Sequence, residues 1–199
     1  RFDNDWVLHR DHKVSLGGTV TSINTSYDFT VNDTLSIVNR QGDALQTALY
    51  LQDKWKLLEN LEVNLGIRGT HYSPTGNIYI EPRASFIYSF NNLLKLKGAF
   101  GDNYQFINQI TNEDVLEGSR EFWLLADQSL QPGFSRHYIV GMEYKTAGYL
   151  FSVEGYYKEL ENLLEFSQRV QRDPRSIRLN NENYTANFLF TLKISDFFA

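Results

Sequence analysis

YLQDKWKL (residues 50–57) is the first of four consecutive stretches in which apolar and polar side chains alternate. The other three are LEVNLGIRGTHYS (61–73), PRASFIYSF (82–90) and LKLKGAFGDNY (94–104). Neighbouring side chains of a β-strand point to opposite faces, so this alternation predicts strands with one apolar and one polar face. Aromatic residues also lie at the strand ends, as they do in a barrel that has lipid outside and water inside.

The composition of the chain permits such a barrel. Aromatic residues make up 15% of the 199 residues, with 12 Tyr and 14 Phe, and tyrosine combines an apolar ring with a polar tip that suits a membrane interface. The mean hydropathy is −0.40, and no apolar run approaches the roughly 20 residues that a spanning helix needs. The low hydropathy therefore excludes a helical membrane protein. It does not exclude a barrel, because half of the side chains of each barrel strand face the lumen and are polar.

Three further features narrow the class of protein. Cysteine is absent, so the chain can form neither a disulfide nor a thiolate metal site. The net charge of −5 argues against a nucleic-acid partner that is held through its phosphates. The opening residues, RFDNDWVLHRDHK, lack the apolar segment of a signal peptide, which predicts either a removed signal or a start within a longer protein.

The pattern predicts about eight strands in an all-β, antiparallel fold. They cover residues 12–29, 45–57, 61–73, 82–90, 94–104, 135–145, 149–159 and 184–194. Short turns are expected at one end, and the other end has loops at 30–42, 105–134 and 161–183, an asymmetry that is typical of outer-membrane barrels. The segment KELENLLEF (158–166) has leucines at helical spacing, but its neighbours favour a strand that continues into a loop.

Six segments together resemble the barrel domain of TonB-dependent outer-membrane receptors, especially those of the Bacteroidetes type. They are ALYLQDKWKL (48–57), LEVNLGIRGTHYSP (61–74), EPRASFIYSF (81–90), LKLKGAFGDNYQFI (94–107), SLQPGFSRHYIVGMEY (129–144) and FSVEGYYKELENLLEF (151–166). Their order and spacing carry the resemblance, which covers roughly residues 13–166. It implies a transmembrane β-barrel of 22 strands, plugged by an N-terminal domain, that imports a scarce nutrient with energy from TonB.

Residues 1–199 have no recognisable plug domain, so the resemblance implies a partial β-barrel domain of such a receptor. The implied location is the outer membrane of a Gram-negative cell, where the wall contacts outer-membrane lipid and the TonB complex acts through the missing plug. The implied substrate is extracellular: a siderophore, haem, a vitamin or a glycan. No nucleic acid and no cofactor are expected. An open sheet edge cannot persist in lipid, so we expect that this piece does not work alone.

The predicted loop of residues 105–134 contains the candidates for substrate contact. Phe106, Phe122 and Trp123 lie there among Asn, Gln and acidic residues, and aromatic rings beside amides suit sugar or siderophore binding. The same rings could instead pack the loop or anchor the barrel at the membrane interface. Arg68 and Arg83 are candidates for a luminal basic surface that attracts an anionic substrate or pairs with acidic plug residues.

Metal binding and catalysis have only weak signals in the sequence. The HRDH segment places His9 and His12 near Asp11, but this spacing fits no defined metal site, and a polar strand end explains it better. Motifs of serine hydrolases, zinc proteases and phosphate-binding loops are absent. We therefore expect no metal and no catalytic residue, and the protein is not predicted to be an enzyme.

Two other classes of protein fit the same alternation. One is a small, self-contained outer-membrane barrel of eight strands, filled by side chains, with a structural or adhesive role. The other is a soluble antiparallel β-sandwich that binds carbohydrate through Trp123 and its neighbours. Strand number and closure distinguish the first class from a receptor, and partitioning into detergent micelles distinguishes the second.

Overall fold

A computed structural model describes residues 1–31, 35–114, 118–167 and 178–196, with side chains described for residues 1–27, 41–109 and 123–164. This part of the chain contains eleven β-strands. They are β1 (Phe2–His9), β2 (His12–Val31), β3 (Leu35–Leu58), β4 (Leu61–Tyr72), β5 (Asn77–Ser89), β6 (Leu94–Gln105), β7 (Ile107–Asp114), β8 (Gly118–Leu125), β9 (Gly133–Thr146), β10 (Tyr149–Ser167) and β11 (Arg178–Asp196). Within the same ranges, no helix is long and apolar enough to cross a membrane.

Nine of the described strands form one antiparallel sheet, in the order β1-β2-β3-β4-β5-β6-β9-β10-β11. The other two, β7 and β8, form a separate antiparallel hairpin, and β9 pairs directly with β6. β1 and β11 are the edges, so the described strands form an open sheet. The predicted all-β, antiparallel fold is confirmed.

The register gives the sheet two chemically different faces. On the first, which we call the apolar face, Leu51 lies between Leu16 of β2 and Ile67 of β4. Its neighbour Gln52 points to the other side, beside Gly66, and we call that side the polar face. Many large side chains of the apolar face are exposed, including Leu49 at 66%, Ile80 at 49%, Val140 at 54% and Met142 at 49%. An apolar surface of this extent indicates a membrane or a protein partner rather than water.

Among the described connections, several short turns lie together at one end of the sheet, as predicted, whereas residues 73–76, between β4 and β5, form a short turn at the opposite end. Glu59 and Asn60 connect β3 to β4, residues 90–93 connect β5 to β6, and Ala147 and Gly148 connect β9 to β10. Ala147 and Gly148 both have positive φ, 37° and 90°, which fits a tight hairpin turn. We call this end the short-turn end and the opposite end the loop end.

The predicted loop of residues 30–42 is wrong for most of its length. β2 continues to Val31 and β3 begins at Leu35, and these two residues pair with each other. Even Gly42 lies within the ladder, opposite Thr25. Strand propensity depends strongly on context, so pairing between two long strands outweighs the turn-forming residues of this segment.

The other predicted loops also contain strands. The loop of residues 105–134 includes the β7–β8 hairpin, and the region 161–183 is taken up partly by β10 and β11, with residues 168–177 outside the described part. The segment 158–166 belongs to β10, which confirms the strand and excludes the competing helix. An additional strand, β1, precedes the first predicted one, so the sheet has nine strands where the sequence predicted about eight in all.

Buried apolar side chains of the described residues concentrate at the loop end. One cluster contains Ala44, Tyr72, Phe106, Leu125 and Ala126, and Tyr72 and Ala126 are completely buried. It joins β3 and β4 to the segment that carries the hairpin. A Cβ added at Gly42 would lie 3.1 Å from Leu125, so glycine at this position allows the close approach of β8 to β3.

Candidate functional site

β5 and β6 separate towards the loop end of the sheet. Their pairing extends from Ser89–Lys95 only as far as Arg83–Gly101 among the described residues. Beyond that point β5 remains paired with β4, and β6 remains paired with β9. Two strand edges therefore face each other across a gap, and side chains must satisfy the backbone groups that line it.

Glu81 occupies this gap and is only 4% exposed. Its carboxylate accepts a hydrogen bond from the backbone N–H of Tyr104 at 3.2 Å and one from the Thr70 hydroxyl at 3.3 Å. It thereby replaces part of the missing backbone pairing between β5 and β6. Arg68 Nε lies 3.4 Å and Arg83 Nη2 lies 3.9 Å from its oxygens. The Arg68 contact is an ion pair without hydrogen-bond geometry, because that Nε has no hydrogen-bond partner in the described structure.

Above Glu81, aromatic rings form a continuous contact from the core to the surface. Phe106 stacks on Tyr72 with 4.5 Å between ring centroids and meets Tyr79 edge-on at 5.1 Å. Tyr79 contacts Tyr104 at 4.9 Å, and Tyr104 contacts Phe134 at 5.1 Å. The hydroxyl of Tyr72 donates to the carbonyl oxygen of Phe106 at 3.4 Å, so the beginning of the hairpin segment is fixed by both packing and a hydrogen bond.

A pocket of about 500 Å³ opens beside these rings at the loop end. Its described lining consists of Thr75, Asn77, Tyr79, Tyr104, Asp127, Gln128, Gln131, Pro132, Phe134, Glu161 and Asn162. The volume lies within the range of pockets that bind small molecules, and the combination of rings with a few polar groups is typical of them. We call it the loop-end pocket and take it as the candidate functional site.

The segment between β8 and β9 covers one side of the loop-end pocket. Its carboxylate Asp127 Oδ1 accepts hydrogen bonds from the backbone N–H groups of Ser129 and Leu130, both at 2.8 Å. The backbone N–H of Ala126 donates to the carbonyl of Phe106 at 2.8 Å, which closes the base of the hairpin. These bonds fix a turn whose backbone groups would otherwise require water.

On the opposite side, Asn162 attaches β10 to the same segment. Its side-chain Nδ2 donates to the carbonyl oxygen of Pro132 at 3.3 Å. Asn162 has a φ of 57°, a left-handed conformation that asparagine tolerates better than most residues, and the β10–β11 register shifts between Leu160 and Leu163. This irregularity of β10 thus serves to hold the rim of the pocket.

The three aromatic candidates from the sequence have different positions in the structure. Phe106 is 5% exposed and packs beneath Tyr79, so it supports the loop-end pocket from below. Trp123 is 49% exposed on β8 and does not belong to the described lining of the pocket. Phe122 is part of β8, but its side chain is outside the described part of the structure. Substrate contact by these residues stays a prediction.

The two luminal arginine candidates do lie together on the polar face, on either side of Glu81. Arg83 Nη2 also donates to Asn103 Oδ1 at 3.2 Å. Other cations of this face have acidic neighbours as well: Lys54 lies 2.9 Å from Glu62, and Lys97 pairs with Glu143. These four cations therefore have acidic neighbours within the wall, and attraction of an anion or of plug residues by the arginines stays a prediction.

The histidines of the HRDH segment have separate acidic neighbours. His9 Nδ1 lies 3.6 Å from Asp11, whereas His12 Nδ1 lies 2.8 Å from Asp53. The ring of His12 also stacks on Trp55, with 5.1 Å between centroids. No group of three metal-ligating side chains is present among the residues that the structure describes.

Sequence reasoning did not select Tyr79, Tyr104, Phe134 or Glu161 as site residues. Tyr104 ends a regular alternating stretch, where an aromatic residue is ordinary, and Tyr79 lies outside the predicted strands. The separation of β5 and β6 brings them into one cluster, and Pro82, which has no backbone N–H, is a local signal at the point where the pairing stops. The GFS stretch that follows Pro132 is a second signal, since proline and glycine mark the return of the chain to the wall.

The open antiparallel sheet with its two faces defines a sector of a β-barrel wall. Comparison with known proteins then identifies the family: the one described as TonB dependent receptor-like, beta-barrel matches residues 1–188. The chain belongs to this family, as its sequence predicted, whereas the narrower Bacteroidetes type stays a prediction. No protein with a curated description matches the sequence.

Solved structures of siderophore receptors are similar to this chain. PirA from Pseudomonas aeruginosa has a TM-score of 0.67 at 14% identity, over 96% of this chain and 35% of its own. PirA from Acinetobacter baumannii has a TM-score of 0.61 at 11% identity, and the match covers 96% of this chain and 32% of PirA. A mutant of the ferric enterobactin receptor PfeA of P. aeruginosa, in complex with enterobactin, has a TM-score of 0.68 at 15% identity. The match covers 96% of this chain and 32% of PfeA. These identities support the fold alone, and this chain spans about one third of those receptors.

Proposed function

We propose that this chain is a wall sector and part of the loop end of an outer-membrane uptake receptor in a Gram-negative cell. In this proposal the apolar face contacts membrane lipid, and the polar face lines the lumen. The loop-end pocket binds an extracellular substrate, and a plug domain that is not among residues 1–199 couples its import to the TonB complex. The receptor is a transporter and not an enzyme.

The observation that carries the proposal is the division between the two faces. Leu49 and Val140 are more than half exposed on the apolar face, and the described ion pairs His12–Asp53 and Arg136–Asp102 of that face lie towards its two ends. The polar face carries ion pairs along its length and the β7–β8 hairpin. A soluble sandwich would cover its apolar face with a second sheet, and the described strands provide none. A self-contained eight-stranded barrel would join its first and last strands, whereas β1 and β11 are both edges here.

The membrane orientation can be tested by cysteine labelling, because the chain contains no cysteine of its own. In the full-length protein, Gln128→Cys places a thiol at the loop end and Glu59→Cys places one in a short turn. We expect an impermeant maleimide to label the first variant in intact cells and the second only after the outer membrane is permeabilised. Equal labelling of both in intact cells would contradict the proposal.

Transport can be tested by growth on one limiting nutrient at a time: a ferric siderophore, haem, cobalamin or an oligosaccharide. We expect one of these to support growth of the host only when both the receptor gene and TonB are intact. Deletion of the receptor with no growth defect on any of the four would count against an uptake function. Complementation with the full-length receptor provides the control.

A further inference from the structure

The polar face is open in its middle and covered towards the loop end. Arg83, which pairs with Gly66, has a side chain that is 50% exposed. Further along β4, Thr70 is completely buried, and Ala48, which pairs with it on β3, is only 2% exposed. Side chains on one face of an uncovered sheet would contact solvent, so another part of the chain covers this region. The cover begins between the position of Arg83 and that of Thr70.

The cover is the segment that connects β6 to β9. We call the part of it with described side chains, residues 106–109 and 123–132, the inner layer. The segment leaves the wall at β6 and returns at β9, yet β8 contacts β2 and β3. Leu125 and Phe106 belong to the same buried cluster as Ala44 and Tyr72 of the polar face, and Phe106 stacks on Tyr72. Because β4 and β5 lie between β3 and β6 in the sheet, the inner layer crosses the polar face of both strands.

The inner layer is tightly enclosed at its base. Leu124 and Leu125 are neighbours on β8 and are 4% and 8% exposed. Neighbouring side chains of a strand point to opposite faces, so both faces of this part of β8 are covered. Leu130, in the turn that Asp127 holds, is 7% exposed. Moving the layer away from the wall would bring these apolar side chains into water, so the covered arrangement is favoured.

A pocket lies on each side of the border where the cover begins. The luminal pocket, of about 460 Å³, is on the short-turn side, and its described lining includes Ser85 and Arg83. It shares no described lining residue with the loop-end pocket. Along β5, Arg83 lines the luminal pocket and Tyr79 lines the loop-end pocket. Glu81 lies between them and is 4% exposed, and its carboxylate bonds to the backbone N–H of Tyr104 across the gap.

We propose that the inner layer is a fixed partition between these two pockets. It closes the luminal pocket towards the loop end and leaves it open towards the short turns. A solute in the loop-end pocket therefore does not reach the lumen along this sector unless the inner layer is displaced. The loop end faces the medium in the proposed receptor, so the direction in which the partition closes the pocket rests on the proposed function.

A thiol in the luminal pocket tests the partition on the full-length receptor. Ser85→Cys introduces it with little change in size, in a chain that has no cysteine of its own. In detergent, where the short-turn side is open, we expect an impermeant maleimide to label Ser85→Cys. In intact cells, labelling should be about tenfold or more slower than labelling of Gln128→Cys at the loop end. Equally rapid labelling of both in intact cells, or no labelling of Ser85→Cys in detergent, would overturn the proposal.

A second substitution shows whether the inner layer is the barrier. In the Ser85→Cys protein, Phe106→Ala removes the ring that stacks on Tyr72 and is expected to speed labelling in intact cells about tenfold or more. Trp123→Ala is the matched control, because Trp123 is a 49% exposed ring of the same segment, and it should leave the rate unchanged. Phe106→Leu keeps part of the apolar volume and should give a smaller increase, which provides a milder variant if Phe106→Ala does not assemble.

Two results would contradict this account of the barrier. If both substitutions of Phe106 leave Ser85→Cys fully protected, another part of the protein shields the luminal pocket and the partition is wrong. An equal increase in Trp123→Ala would show that the buried base of the inner layer is not what closes the pocket.

The labelling of Gln128→Cys and Glu59→Cys keeps the two proposals separate. If these variants show the expected sidedness but Ser85→Cys is labelled rapidly in intact cells, the receptor proposal stands and the partition is wrong. If the sidedness itself fails, the receptor proposal is wrong. Each proposal therefore fails through a result of its own.

Discussion

The short-turn half of the sheet and its loop end are stabilised in different ways. In the short-turn half, large apolar side chains such as Leu65 and Met142 remain about half exposed. At the loop end, Tyr72 and Ala126 are completely buried beneath the hairpin segment. In the proposed receptor, lipid covers the apolar face of the first region, whereas the second region has a protein core of its own. A rigid pocket is therefore possible at the loop end, where packing does not depend on the membrane.

The largest effect is expected from removing the centre of that core. Tyr72→Ala deletes a fully buried ring that stacks on Phe106, which should cost about 3–5 kcal/mol of local stability. Hydrogen exchange of the β7–β8 amides should then become more than about a hundredfold faster. Tyr138→Ala removes a 42% exposed ring from the apolar face and should leave this exchange nearly unchanged. Equal exchange in both variants would erase the distinction between the two regions.

A smaller effect is expected at the point where β5 and β6 separate. Glu81→Gln keeps an acceptor for the backbone N–H of Tyr104 but removes the charge between Arg68 and Arg83. Both arginines are partly exposed, so water can replace part of the lost interaction with the carboxylate. We expect the free energy of unfolding, measured with urea, to fall by about 1–3 kcal/mol. Glu62→Gln, which alters a more exposed pair, is the control. If the Glu81→Gln variant were as stable as that control, the negative charge of Glu81 would not be needed to stabilise the gap between β5 and β6.

Alanine substitutions at two glycines test whether side chains on the polar and apolar faces differ in their freedom to move away from an added Cβ. An added Cβ would clash with the ring of Tyr50 at Gly17 and with the ring of Phe86 at Gly98. Tyr50 is held by its hydrogen bond to Asp3 on the polar face, whereas Phe86 is 37% exposed on the apolar face and has room to rotate. Gly17→Ala should lower the melting temperature by about a few degrees and Gly98→Ala by less. The double variant Gly17→Ala with Tyr50→Ala should recover part of the loss, and the reverse order of the two single variants would refute this account.

The smallest effect is expected from a single ion pair of the polar face. Lys54→Ala removes the 2.9 Å contact with Glu62, in which both side chains are more than one third exposed. Exposed ion pairs contribute about 0–1 kcal/mol to the free energy of unfolding, so the value measured with urea should change little. The difference between the variant and the original protein should be smaller still at high salt. Lys56→Ala serves as the comparison, because the described structure shows no ion pair for Lys56. A loss above about 2 kcal/mol for Lys54→Ala would mean that the polar face is tightly packed in the assembled protein.

Sequence reasoning predicted the wall well because alternation is a local property. The faces of β3 to β6 follow directly from residues such as Leu51 and Gln52, and the short turns follow from their neighbours. The loop-end pocket could not be predicted in this way, since it depends on where two strands stop pairing. Pairing stops just beyond Arg83–Gly101, where Pro82 is a signal that the sequence reasoning did not use. Phe106 was selected for its type, and only packing shows that it lies under the pocket.

The direct pairing of β6 with β9 makes the segment between them a module. Gln105 and Gly133 are opposite each other in the ladder, so the chain leaves the wall and returns to it at adjacent positions. Insertions between such close ends add little closure entropy and do not shift the strand register. Residues 106–132 could therefore be exchanged as one cassette while the wall stays the same. Members of a family built on this plan can change what they recognise without redesigning the barrel that carries it.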